Sequence, residues 1–98
     1  MDKDAVIATL RAHRADLERM GVIHAALFGS LARGEAGPQS DIDIAVDMDD
    51  DVVRTVYDYV GVKLGIADFF DDPVDVVNRA SLKPGVSESV ARDLIYAF

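Results

Sequence analysis

At 98 residues, half of them apolar, the chain has enough material for one core and no room for a second, so residues 1–98 are expected to form a single domain. The formal charge of −8 excludes a broad basic surface for DNA or RNA, and the lack of Cys excludes disulfides, thiolate metal sites and a Cys nucleophile. There is no apolar run of about 18 residues and no basic-then-apolar leader, so neither a membrane span nor secretion is expected and a cytoplasmic location fits.

Residues 3–20 predict an amphipathic helix, with Val6, Ile7, Leu10, Leu17 and Met20 near a 3.6 period, and Gly21 ends it. A strand is expected over Val22–Phe28. Its lone His24 reads as a packed or half-exposed strand residue, and His13 as a helix-surface residue with no partner spaced for metal binding. Gly29 and Ser30 then introduce a short helical turn over Leu31–Gly34. Taken alone, Gly-Ser is a turn and a cap. The same pair can also hold phosphate, because Gly permits close backbone approach and a helix start offers free N–H groups beside the Ser hydroxyl. Two Gly and a Pro make Gly34–Ser40 a loop, with Ser40 able to cap or turn, and a strand over Asp41–Asp47 follows.

That strand begins with an unusual pattern. Side chains alternate across a strand, so Asp41 and Asp43 share one face while Ile42, Ile44 and Val46 take the other. Asp is depleted in strands, and two such acids opening an apolar segment suggest a purpose beyond folding. Carboxylates 4 Å apart would repel by about 4 kcal/mol at an effective dielectric of about 20, so a cation belongs between them. Oxygen-only ligands suit Mg²⁺ or Mn²⁺, not Zn²⁺.

The acids Asp47, Asp49, Asp50 and Asp51 alternate like the opening of a calcium loop. The Gly required at the sixth position is replaced by Val52, which leaves them as acids at a helix N-terminus. A helix is expected between Asp51 and Phe70, with Val53, Val56, Val60, Leu64 and Ala67 on its inner face and weak points at Gly61 and Gly65. Asp71-Asp72-Pro73 predicts a turn. Val74–Val77 predicts a short strand carrying Asp75 among three valines. The interval from Asp43 to Asp75 holds a strand, a crossover helix and a return, which allows the two strands to lie side by side. Pro84 precedes a last helix over Val86–Ala97, burying Val86, Val90 and Leu94.

Taken together, Gly29-Ser30, the Asp41-Ile42-Asp43 pair and the isolated Asp75 resemble the minimal nucleotidyltransferases of the DNA polymerase β superfamily. The similarity is greatest to the antitoxin half of HEPN/MNT toxin–antitoxin pairs. It covers nearly the whole chain, through G-S-x-A-R-G, S-D-I-D, V-D-V-V and the Leu82-Lys83-Pro84 that follows. The resemblance implies an α/β nucleotidyltransferase fold, with a small mixed sheet of about three strands flanked by helices in the order helix, strand, helix, strand, helix, strand, helix. It implies that Gly29 and Ser30 hold nucleotide phosphates, that Asp41, Asp43 and Asp75 are catalytic and bind two Mg²⁺ (or Mn²⁺) ions, and that Arg33 contacts phosphate or partner. It further implies ATP as donor, a HEPN ribonuclease toxin as acceptor through a hydroxyl of Tyr type, and a hetero-oligomer with that toxin, without direct nucleic-acid binding. The competing readings are an antitoxin that only masks the toxin and a small-molecule enzyme of the antibiotic-modifying kind. The added helical domain usual in that last group is not seen in this sequence.

Overall fold

The computed structural model of the protein describes residues 2–35, 37 and 41–98. The expected Ser40 cap and most of the loop before it lie outside those residues. Helix α1 spans Lys3–Ala12, capped by Asp2, whose Oδ1 accepts the Ala5 N–H at 2.8 Å. Helix α2 spans Arg14–Arg19. The continuous helix expected over 3–20 is therefore broken at His13. The ψ of 14° there takes the backbone out of the helical range while Leu10 and Leu17 both stay in the core. The freed imidazole stacks flat on Phe69, with ring centroids 3.9 Å apart.

Strand β1 occupies Val22–Phe28, as expected, and helix α3 occupies Gly29–Arg33, starting two residues earlier than expected. Strand β2 runs Ile42–Met48, placing Asp41 just before it. Asp49–Asp51 form the turn after β2 and do not open a helix, which corrects the expectation for the acidic run. The Asp49 carboxylate accepts the Asp51 N–H, and the Asp49 carbonyl accepts from Val52 and Val53. Helix α4 begins later, at Val56, and ends at Ala67. Thr55 caps it in a reciprocal box with Asp58.

The inner face of α4 also needs correction. Val62 and Ile66 enter the core, while Val56, Val60 and Leu64 are exposed. The helix is apolar around most of its circumference, so periodicity alone does not select the buried side. Strand β3 covers Val74–Asn78, and helix α5 covers Pro84–Asp93, shorter than the helix expected to reach Ala97. Val90 is buried as expected and Leu94 is half-buried, but Val86 is exposed. Beyond α5 the chain extends into a fourth strand, β4 (Ile95–Tyr96), which pairs antiparallel with β1 through Ala26 and Leu27.

The sheet order is β3-β2-β1-β4, with β1 and β2 antiparallel and β2 and β3 parallel. The crossover from β2 to β3 is made by α4, as a parallel pair requires. One sheet face carries Leu27, Ile44 and Val76 in a single register row. These side chains join Val6, Leu10, Leu17, Val62 and Ile66 in one core cluster. Burying each such side chain contributes about 1.5–3 kcal/mol. Alternation turns the intervening residues Asp43, Ala45 and Asp47 of β2 to the opposite face, where no charged side chain is buried.

Candidate functional site

The acids of β2 and β3 are brought into one row by strand register. Asp43 pairs directly with Asp75 across the parallel ladder, and on its other side Asp43 pairs with Phe28, the last residue of β1. Residues opposite one another in a ladder point to the same face, so the two carboxylates project together. Asp41, two residues before Asp43, shares that face by strand phase, and the Ile42 N–H donates to the Pro73 carbonyl at 2.9 Å to start the pairing. Asp43 is half-buried, whereas Asp41 and Asp75 are exposed.

The Gly29 turn lies against this row. Gly29 has φ +76°, in the left-handed region that favours glycine. A Cβ added there would collide with Oδ2 of Asp43 and lie 3.1 Å from its carboxyl carbon. Conformation and space therefore both require Gly, and together they bring backbone against carboxylate. Ser30 follows in the first turn of α3, half-buried, and its carbonyl accepts the Glu35 N–H at 2.9 Å.

Electrostatics register the crowding. Burial, then the Asp75 carboxylate, then that of Asp41 raise the Asp43 pKa above its ordinary value, and Arg33 offsets part of the rise. Arg33 itself leaves the last turn of α3 to pair with Glu35 through Nε at 2.9 Å and with Asp93 of α5 through Nη1 at 2.6 Å. Of the residues singled out in the sequence, Gly29, Asp43 and Asp75 are gathered most closely. Asp41 joins them through charge, and Arg33 stands beside them clamped between two acids.

Among the described residues, no group of three acids or histidines is already drawn in to metal-ligand distance. The donor set still fits a hard divalent cation, since Asp43 and Asp75 share one register row and the charges of Asp75 and Asp41 both act on Asp43. Two features escaped sequence reasoning. Asp93 anchors Arg33 from α5, a contact across 60 positions that no local pattern reveals. Asp47 extends the acidic face of β2 and is neutralised by Arg79 at 3.2 Å, whose guanidinium also donates to the Tyr96 hydroxyl. The even spacing of Asp47 from Asp41 and Asp43 was the available signal.

Comparison with known proteins agrees with this geometry. The model of a family described as nucleotidyltransferase domain matches residues 10–97. The chain is 33% identical over 94 residues to the protein adenylyltransferase MntA of Thermococcus cleftensis, covering 95% of this chain and 93% of that protein. It is similar to a solved structure proposed to be a minimal nucleotidyltransferase, with 35% identity, a TM-score of 0.71 and coverage of 97% of this chain and 95% of the other. In fold alone it is also similar to a chain of the complex between MNT antitoxin and tri-AMPylated HEPN toxin of Shewanella oneidensis, with 20% identity, a TM-score of 0.65 and coverage of 94% and 71%.

Proposed function

This chain belongs to the nucleotidyltransferase domain family, and we propose that it transfers AMP from ATP to a hydroxyl, of tyrosine type, on a cognate HEPN ribonuclease toxin and thereby silences it. The observation that carries this reading is the register row of Asp43 and Asp75 beside a glycine that leaves no space for a side chain. In the reaction the acceptor oxygen forms a bond to the α-phosphorus of ATP, the α–β phosphoanhydride bond breaks, and pyrophosphate departs. Mg²⁺ or Mn²⁺, held by Asp41, Asp43 and Asp75, would neutralise triphosphate charge and lower the pKa of the attacking hydroxyl.

The chain's own residues supply the rest. Gly29 lets the backbone approach the phosphates, and the Ser30 hydroxyl with the first N–H groups of α3 donates to their oxygens. Asp75, exposed on the outermost strand, accepts the proton of the incoming hydroxyl in this reading, supported by its exposure and its register with Asp43. Arg33 is close enough to act on Asp43, and it would meet phosphate or partner by giving up its pairing with Glu35 or Asp93. The protein adenylyltransferase named among the relatives supports AMP as the transferred group. The solved toxin–antitoxin complex supports a HEPN acceptor.

The test is the intact mass of the toxin after reaction with this protein, ATP and Mg²⁺. Wild type is expected to add one or more adenylyl units at substoichiometric amounts, because an enzyme turns over. Asp43→Asn should bind the toxin and leave its mass unchanged. If that variant neutralises the toxin mole for mole without ATP, transfer is not the mechanism and masking is.

A further inference from the structure

Among the described residues, five of the eight exposed large apolar side chains fall within 13 consecutive positions: Val52, Val56, Tyr57, Val60 and Leu64. Four of them lie on α4, where Val56 is 75% exposed, Tyr57 89%, Val60 42% and Leu64 62%. Helical geometry puts 56, 57, 60 and 64 on one side, opposite Val62 and Ile66, which hold the helix to the core. The stripe is about 12 Å long by the rise per residue. Scattered apolar residues on a surface need no explanation, but a continuous stripe on one helix does.

The rim of this stripe is acidic. Asp50 and Asp51 lie before α4, Asp58 on it and Asp68 just after it, all exposed. The cations there are Arg54 and Lys63, two against those four acids, so the rim is net acidic. Arg54 Nε donates to the Asp51 carbonyl at 2.9 Å, and the Lys63 ammonium lies 5.5 Å from the centre of the Tyr59 ring. A second copy would bring the same acidic rim, and another charge of −8, against this one. A partner with an apolar centre and a basic rim meets no such opposition.

We propose that the exposed face of α4 docks the partner protein, receiving from it an apolar helix face edged with Lys and Arg. This rests on the reading that the partner is a ribonuclease, whose RNA-gripping surface must be basic. It adds a location to that reading. Helix α4 packs on the sheet face opposite the acids and next to β3, the outermost strand, which carries Asp75. A protein held on α4 therefore reaches the acid row around the open edge of β3, where the outermost carboxylate meets it first. The docking face and the transfer site are separate surfaces linked by one strand.

The experiment measures binding of the co-encoded HEPN toxin by calorimetry in the Asp43→Asn background, so that no transfer is required for a signal. Leu64→Glu is expected to weaken binding by about tenfold or more, as loss of an exposed apolar anchor does. Val86→Glu, on the exposed side of α5, should leave binding unchanged. Rising salt should weaken binding, because the rim is charged. In the otherwise wild-type enzyme, Leu64→Glu should raise KM for the toxin and leave kcat unchanged. Both substituted positions are exposed, and circular dichroism checks that the fold is retained. Binding by Leu64→Glu as tight as that of the parent would overturn the proposal. So would sedimentation showing that the isolated chain is a dimer dissociated by Leu64→Glu, since the occupant would then be a second copy. Toxin that binds through α4 and is never modified would sink the transfer reaction and leave the docking face standing.

Discussion

Asp43 is where the competing demands on this chain meet in a single side chain. Its folded-state pKa is raised by burial and by two neighbouring carboxylates, so the folded protein takes up its proton more readily than the unfolded chain does. The sign follows directly. Above the raised pKa the ionised carboxylate costs stability, and as pH falls through it toward the ordinary value that cost disappears. Asp43→Asn is therefore expected to raise Tm in chelator at pH 7, with the gain shrinking as pH falls and wild-type Asp43 becomes neutral. Calorimetry of both proteins across that range checks it, and a gain that grows on acidification would contradict the assignment. At this scale the sequence was most legible. Strand parity alone placed Asp41 and Asp43 on one face, and the three valines around Asp75 identified its strand. The Arg33–Asp93 pair was not legible, because it depends on how α5 packs over α3.

At the scale of elements, what the sequence disclosed depended on how much of the pattern was local. Val22–Phe28 was readable because a glycine precedes it, a Gly-Ser turn follows it, and the residues between are mostly apolar and strand-forming. The side of α4 that faces the core was not readable. Its residues offer two apolar stripes, and packing against β3 and the core, not periodicity, chooses Val62 and Ile66. The end of α5 was hidden for a related reason. Val86, Val90 and Leu94 continue a helical repeat, yet Ile95 and Tyr96 gain more by pairing with β1. The start of α4, by contrast, rests on its box of Thr55 and Asp58. The Asp58 carboxylate accepts the Arg54 and Thr55 N–H groups at 3.0 and 3.2 Å, which lowers its pKa, so its contribution is present above the ordinary carboxylate value and fades as pH falls below it. Thr55→Ala is expected to destabilise the protein by about 1 kcal/mol, with the urea m-value unchanged. A neutral result would mean that α4 starts without its cap.

The molecule as a whole is small, acidic and built around like charges that share a face. A divalent cation that binds the folded state and not the unfolded chain must stabilise it. At about a hundredfold above Kd the gain is about 2.7 kcal/mol. For a domain of this size each kcal/mol moves Tm by about 4–8 °C. Mg²⁺ or Mn²⁺ should therefore raise Tm in wild type and not in Asp43→Asn, as differential scanning calorimetry would show. An equal rise in both would place the ion elsewhere on the acidic surface. Among the described residues no helix is long and apolar enough to cross a membrane, so the apolar stripe on α4 is a surface feature of the fold and not a span.

The position of β3 has one more consequence. An outermost strand offers unpaired backbone groups to any other chain, and Val74, Val76 and Val77 would make this one an inviting template for cross-chain pairing. Asp75, exposed in the middle of those valines, is the charge that discourages it, and Asp71, Asp72 and Pro73 guard the approach. The residue proposed to take a proton in the reaction is thus also the one that keeps the strand from recruiting a neighbour. Asp75→Ala would remove both at once and confuse lost chemistry with aggregation. Asp75→Glu, which keeps the charge on the strand while moving the carboxylate by one methylene, separates them better.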